Sequence, residues 1–220
     1  MPAPFDLLPH LLDGLLTTLL VTFGGATLAL VMSFAGGLGR LSRSTARRAL
    51  AAVYVEGFRG TSALVQLFWV FFVLPFFGLE IRPIAAGIIV LGLNVGAYGA
   101  EVVRGVVRSI PFSQWEAAQA LSLSHRQTMW HIIIPQALPT MVPPAGNLLI
   151  ELLKGTALVS LISLNELTFT AQTLRADTLR TPEIFGLVLV LYFAVALMLT
   201  AGMRRLEQRC GSWRNPGAIR

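Results

Sequence analysis

Five apolar stretches divide this chain, over 15–38, 62–79, 84–103, 141–164 and 184–203. Each has roughly the 20 residues that an α-helix needs to cross a hydrocarbon core about 30 Å thick. Shorter polar connections separate them and leave no room for a soluble catalytic domain. The pattern predicts an all-α fold, a polytopic transmembrane helical bundle of about five spans, forming a single domain over 1–220. No low-complexity segment and no convincing internal repeat interrupts it. Five spans also cannot divide into two equal inverted halves, as the spans of many secondary transporters do.

Composition supports this reading: 55% of the 220 residues are hydrophobic and only 13% charged, with a mean hydropathy of +0.69. A soluble globule cannot hide so much apolar surface. The formal charge of +6 does not point to nucleic acid, because the basic residues lie between apolar spans and form no patch interleaved with aromatics. Arg40, Arg43, Arg47, Arg48 and Arg59 fall between spans one and two, Arg104, Arg108 and Arg126 in the long third loop, and five more in the tail. The other side carries Arg82, Arg175 and Arg180 with acids including Glu80, Glu166 and Asp177. By the positive-inside rule the N-terminus faces out and the C-terminus is cytoplasmic. Asp6 and Asp13, without Lys or Arg, precede the first span, which therefore reads as retained and not as a cleaved signal. Cys210 has no cysteine partner and reads as a bystander.

Polar residues inside the spans are the candidate chemistry, since ionisable groups in hydrocarbon cost several kcal/mol. Asn94, Tyr98 and Glu101 stand at i, i+4, i+7 and share one helix face, with Gly92, Gly96 and Ala100 on the opposite face. A polar stripe must avoid lipid and a small-residue stripe invites close helix packing, so the third span is expected inside the bundle. In the fourth span Asn147, Glu151 and Lys154 repeat the spacing, with Glu151 and Lys154 placed to neutralise each other. Either set could line a polar path or be a satisfied structural pairing. Pro139, Pro143, Pro144 and Gly146 predict a break or kink at the start of that span.

The third loop, about 109–136, is too polar to cross a bilayer. Ser113 with Glu116 and Ser124 with Gln127 fit capping boxes. They predict a short helix over 114–121, a turn near Ser122, and a second helix ending before Pro135. The run Glu116-Ala117-Ala118, then Ser122, then Ile132 and Pro135 resembles the EAA loop of permease subunits of bacterial ATP-binding cassette (ABC) importers, with Ser122 in place of the usual glycine. Arg59-Gly60-Thr61, Ala97-Tyr98 with Glu101, Arg104-Gly105, Ile110-Pro111 with Gln114, and Lys154 with Thr156 and Leu158 resemble the polar amino-acid permease group, over about 11–205. Ser62, Ser113, Gly155 and Ala157 depart from its usual Pro, Gly, Asp and Ser.

The resemblance implies a multi-pass permease of the bacterial cytoplasmic membrane. It would pair with an identical or similar permease subunit, dock ABC ATPase subunits through the EAA loops, and receive solute from an extracytoplasmic solute-binding protein. The cargo implied is a polar amino acid or an amino-acid-like zwitterion, and the stretch Glu151 to Ala157 resembles ectoine-type systems. Glu116, Ala117, Ala118, Ser122, Ile132 and Pro135 would couple to the ATPase. Asn94, Tyr98, Glu101, Asn147, Glu151, Lys154 and Thr156 are the candidates for the path or the solute. No cofactor is expected on this chain: a P-loop needs Gly-Lys-Ser/Thr and the only lysine, Lys154, follows Leu153, so ATP and Mg belong to the partner. Zinc-protease and serine-elbow motifs are missing, and the scattered His10, His125 and His131 suggest no metal site. The rival reading is an ion-coupled secondary transporter or channel acting without an ATPase.

Overall fold

The computed structural model describes residues 4–211, all of whose regular elements are helical. Arg214 and Arg220 of the predicted basic tail lie outside these residues. α1 (Leu8–Arg40) and α4 (Pro83–Ser109) form the centre of the bundle. A Cβ built at Gly92 would lie 3.0 Å from the Gly25 carbonyl oxygen, and one at Gly96 would lie 3.2 Å from that of Ala29. The predicted small-residue face of α4 is thus the seam on which α1 rests, its backbone too close to admit side chains. Ser33 of α1 donates to its own Ala29 carbonyl at 2.6 Å and meets the Gly96 carbonyl at 3.3 Å.

The second predicted span, 62–79, is not a span of its own. α2 (Thr45–Arg59) and the helix Ala63–Phe77 meet at 101° and are long and apolar enough for a span only when taken together, as a bent pair. The second half opens as α3 (Ala63–Phe68), widens to a π-turn over Trp69–Val73 and tightens to 3-10 over Leu74–Phe77. α2 reaches midway along α4: the Tyr54 hydroxyl donates to the Leu93 carbonyl at 2.8 Å, and the Asn94 amide donates to that of Phe58 at 3.0 Å. Arg59 accordingly sits in the break and not in the loop to which its charge first assigns it. Inside a membrane a helix break must satisfy its own carbonyls. Asn94 does so with Gln66, whose amide donates to the Phe58 carbonyl at 2.9 Å and to Thr61 Oγ1 at 2.6 Å, while its Oε1 accepts from Asn94 at 3.2 Å.

α5 (Phe112–Ala120), α6 (His125–Thr128) and α7 (Ile134–Gly155) carry the third loop and fourth span. Three expectations fail here. α5 begins at Phe112 after Pro111, whose extended ψ of 139° makes it the N-cap, so Ser113 falls inside the first turn and forms no capping box with Glu116. The second loop helix does not stop before Pro135; it passes through a π-turn over Met129–Ile133 into α7, giving one helical run over His125–Ile162. The wider turn accommodates a proline that cannot donate to the preceding turn. Of the break or kink expected at Pro139, Pro143 and Pro144, the break is absent, since all three lie inside α7. The box of Ser124 and Gln127 forms as expected.

A 3-10 turn over Thr156–Ile162 leads to α8 (Leu167–Thr178), and α9 (Thr181–Gly211) closes the chain. Glu166 is fully buried between α1, α8 and α9. It caps α8 by accepting from the Phe169 N–H at 2.8 Å, and its other oxygen accepts from the Tyr192 hydroxyl at 3.1 Å. Thr18 accepts the Leu167 N–H at 3.1 Å.

Candidate functional site

α5 stands out from the bundle as a small two-sided platform. Ala118 is 1% exposed and its carbonyl accepts the Leu123 N–H at 3.1 Å, closing the turn after the helix. That turn places Ser122 at φ 56°, the left-handed region that a glycine would enter without strain. Ala118 packs inward, leaving Glu116 and Ala117 exposed beside it. Phe112 and Leu121, both more than 70% exposed, flank them. The platform is held from below, where Trp115 stacks on His125 with centroids 5.7 Å apart and Gln136 donates to Gln114 at 3.1 Å. Ile132 packs into the cluster around Val103 and Ile133, while Pro135 is exposed at the start of α7.

The second feature is a stripe along α7. Gln136, Thr140, Pro143, Asn147, Glu151 and Lys154 are all exposed and follow the 3.6-residue period along one face. Among the described residues, Asn147, Glu151 and Lys154 have no hydrogen-bond or ion-pair partner, so Glu151 and Lys154 do not neutralise each other as expected. Thr156 leaves the stripe: it is buried and its hydroxyl donates to the Leu153 carbonyl at 2.6 Å. Cβ atoms built at Gly99 and Gly155 would meet Leu148 and Leu91, at 3.7 and 3.6 Å, so 147–154 runs level with the middle of α4 and with the break beside Asn94.

The polar face of α4 is occupied instead by the protein itself. Asn94 braces the break, Arg59 lies over the Tyr98 ring at 5.2 Å, and Glu101 faces Arg104 and Arg40. Arg104 Nε donates to Glu101 Oε2 at 2.9 Å. Oε1 stands 3.2 Å from Arg40 as an ion pair without hydrogen-bond geometry. Arg40 also pairs with Glu56 at 3.3 Å, tying the ends of α1, α2 and α4 together. Sequence reasoning missed Arg59, Gly60, Thr61 and Ser62 as a break exposed at mid-depth. The signal was a glycine and two hydroxyl residues, Gly60, Thr61 and Ser62, at the start of the apolar stretch.

Comparison with known proteins decides the family, because the profile described as binding-protein-dependent transport system inner membrane component matches residues 32–210. The chain belongs to that family. It is an inner-membrane permease subunit of an ABC importer, and membership implies partner ATPase subunits and a binding protein. A probable amino-acid ABC transporter permease of Sinorhizobium fredii is 46% identical over 90% of this chain and 84% of its own length. The glutamine transport system permease protein GlnP of Escherichia coli is 37% identical over 92% and 93%. The L-cystine transport system permease protein TcyB of Bacillus subtilis is 32% identical over 94% and 91%. A chain in a crystal structure of an amino acid ABC transporter with histidines superposes with TM-score 0.84 at 33% identity, covering 91% of this permease and 94% of that chain. The inward-facing MetNI methionine ABC transporter shares the fold, with TM-score 0.80 at 22% identity.

Proposed function

We propose that this permease translocates a polar amino acid or a similar zwitterion, ectoine-type solutes included, along a path bounded by the α7 stripe and a second permease subunit, identical or similar. The observation that carries this reading is the stripe itself. A face bearing Glu151 and Lys154 without partners cannot stand against hydrocarbon, and it needs a polar counterpart or water. Opposite charges about one turn apart suit a solute that carries both an ammonium and a carboxylate. The relatives named for glutamine and cystine support the class of cargo.

Glu116 and Ala117, with Leu121 beside them, are the surface offered to the ATPase, on the cytoplasmic side together with the C-terminus. ATP and Mg act on the partner, and closure of the ATPases moves α5 as a rigid platform whose motion reaches the stripe through the unbroken helix from His125 into α7. The test is ATP-dependent uptake by the assembled importer in proteoliposomes, using a panel of labelled amino acids and ectoine. Glu151→Gln should lower uptake of the transported solute by about tenfold, a barrier change of about 1.4 kcal/mol, with assembly intact. Uptake without ATP, or unchanged uptake in the variant, would count against the reading.

A further inference from the structure

A cavity of about 310 Å³ lies behind the platform, where the end of α4 meets α5 and α6. That volume is at the small end of the range of about 300–1,000 Å³ usual for ligand sites. Its floor is apolar: Val107 is buried, and Leu41, just past α1, packs against the same cluster. Trp115 stacks on His125 with the two rings only 20° from parallel, which gives the cavity a flat aromatic wall. Arg108 and Phe112, both exposed, stand at its rim.

Three observations fix the chemistry of the occupant. The mouth opens to water and not to hydrocarbon, because Ser109, Ser124 and Arg126, next in sequence to residues that line it, are exposed polar side chains. Arg108 has no hydrogen-bond or ion-pair partner among the described residues, whereas Arg40 and Arg104, at the same end of the bundle, are held by Glu56 and Glu101. A guanidinium beside an apolar cavity suits a carboxylate, which it can meet with two parallel N–H···O bonds. Among the described residues no acid lines the cavity, so the ammonium of a free amino acid would enter it unpaired. In this it differs from the α7 stripe, which offers both charges. We propose that the cavity binds an aromatic monocarboxylate without an amino group, entering from the side of the EAA loop, with its carboxylate on Arg108 and its ring against the Trp115 wall.

The test is fluorine NMR of the assembled importer in detergent, titrated with para-fluorophenylpropionate or with para-fluorophenylalanine, which differs only by its ammonium. Wild type should broaden the propionate resonance saturably, and unlabelled phenylpropionate should compete for the site. Arg108→Gln should weaken that binding several-fold at an unchanged melting temperature, since Arg108 holds no other part of the described chain. Leu41→Trp, which narrows the cavity without touching its charge, should weaken it as well. The amino acid should show no component that depends on Arg108, whatever it does at the α7 stripe, so the result is independent of the solute that the permease carries. Absence of saturable broadening, full binding by either variant, or Arg108-dependent binding of the amino acid as tight as that of the propionate would overturn the proposal.

Discussion

Asn94 shows what a single polar side chain does when water is absent. Its amide and that of Gln66 supply the donors that the Phe58 carbonyl lost when α2 ended in mid-bundle. Asn94→Leu is nearly isosteric but removes one of those donors and leaves Gln66 Oε1 unpaired. It should destabilise the protein by about 1–3 kcal/mol, the cost of unsatisfied buried polar groups, read as a lowered unfolding temperature in detergent. Ser122 is the converse case, a residue strained where glycine would not be. Ser122→Gly should stabilise α5 and its turn by about 1 kcal/mol, seen as slower amide exchange at Leu121 and Leu123. Glu166 adds a pH dependence. Burial raises its carboxyl pKa, against the opposing pull of the Thr168 and Phe169 backbone N–H groups and the Tyr192 hydroxyl. The folded state therefore keeps a proton that the unfolded chain releases. This contribution is present below the ordinary carboxylate range and is lost as pH rises through the raised value. Glu166→Gln should flatten that portion of the stability profile, and an unchanged slope would show that another group sets it.

At the level of elements, α5 and α7 divide the work by exposure. Ala117 points outward from α5 while Ala118 is sealed beneath it. Ala117→Trp should therefore abolish solute-stimulated ATP hydrolysis while leaving the thermal stability of the permease near that of wild type. Ala118→Trp should unfold the platform itself, because at a site only 1% exposed the ring must displace packed neighbours. Comparing the two by ATPase assay and melting curve separates contact with the partner from internal support. α7 was legible in part. Its polar stripe follows directly from the sequence period, but the expected Glu151–Lys154 pair and the break at the prolines do not appear. A period fixes which residues share a face. It does not fix rotamers, nor does it reveal that neighbouring packing will carry a helix through three prolines.

For the whole molecule, an exposed face bearing an acid and a base implies an assembly larger than one chain. In a Cys210→Ser background, Thr140→Cys and Asn147→Cys should each form an oxidant-dependent disulfide with a second permease subunit carrying a cysteine at the matching position. A band that stays at monomer mass for both would sink the shared-path arrangement. The sequence by itself determined the class, an all-helical bundle of four to five candidate spans, and the sandwiching of α4, because these follow from apolar length and 3.6-residue periodicity. Only the tertiary structure decided that Arg59 lies in a mid-bundle break and not a loop. It alone also showed Asn94 and Glu101 engaged by neighbouring helices, Ala118 and Thr156 turned inward, and Asn147, Glu151 and Lys154 left without partners. Those outcomes depend on which carbonyls, cations and helix faces arrive from distant parts of the chain, and no local pattern records such encounters.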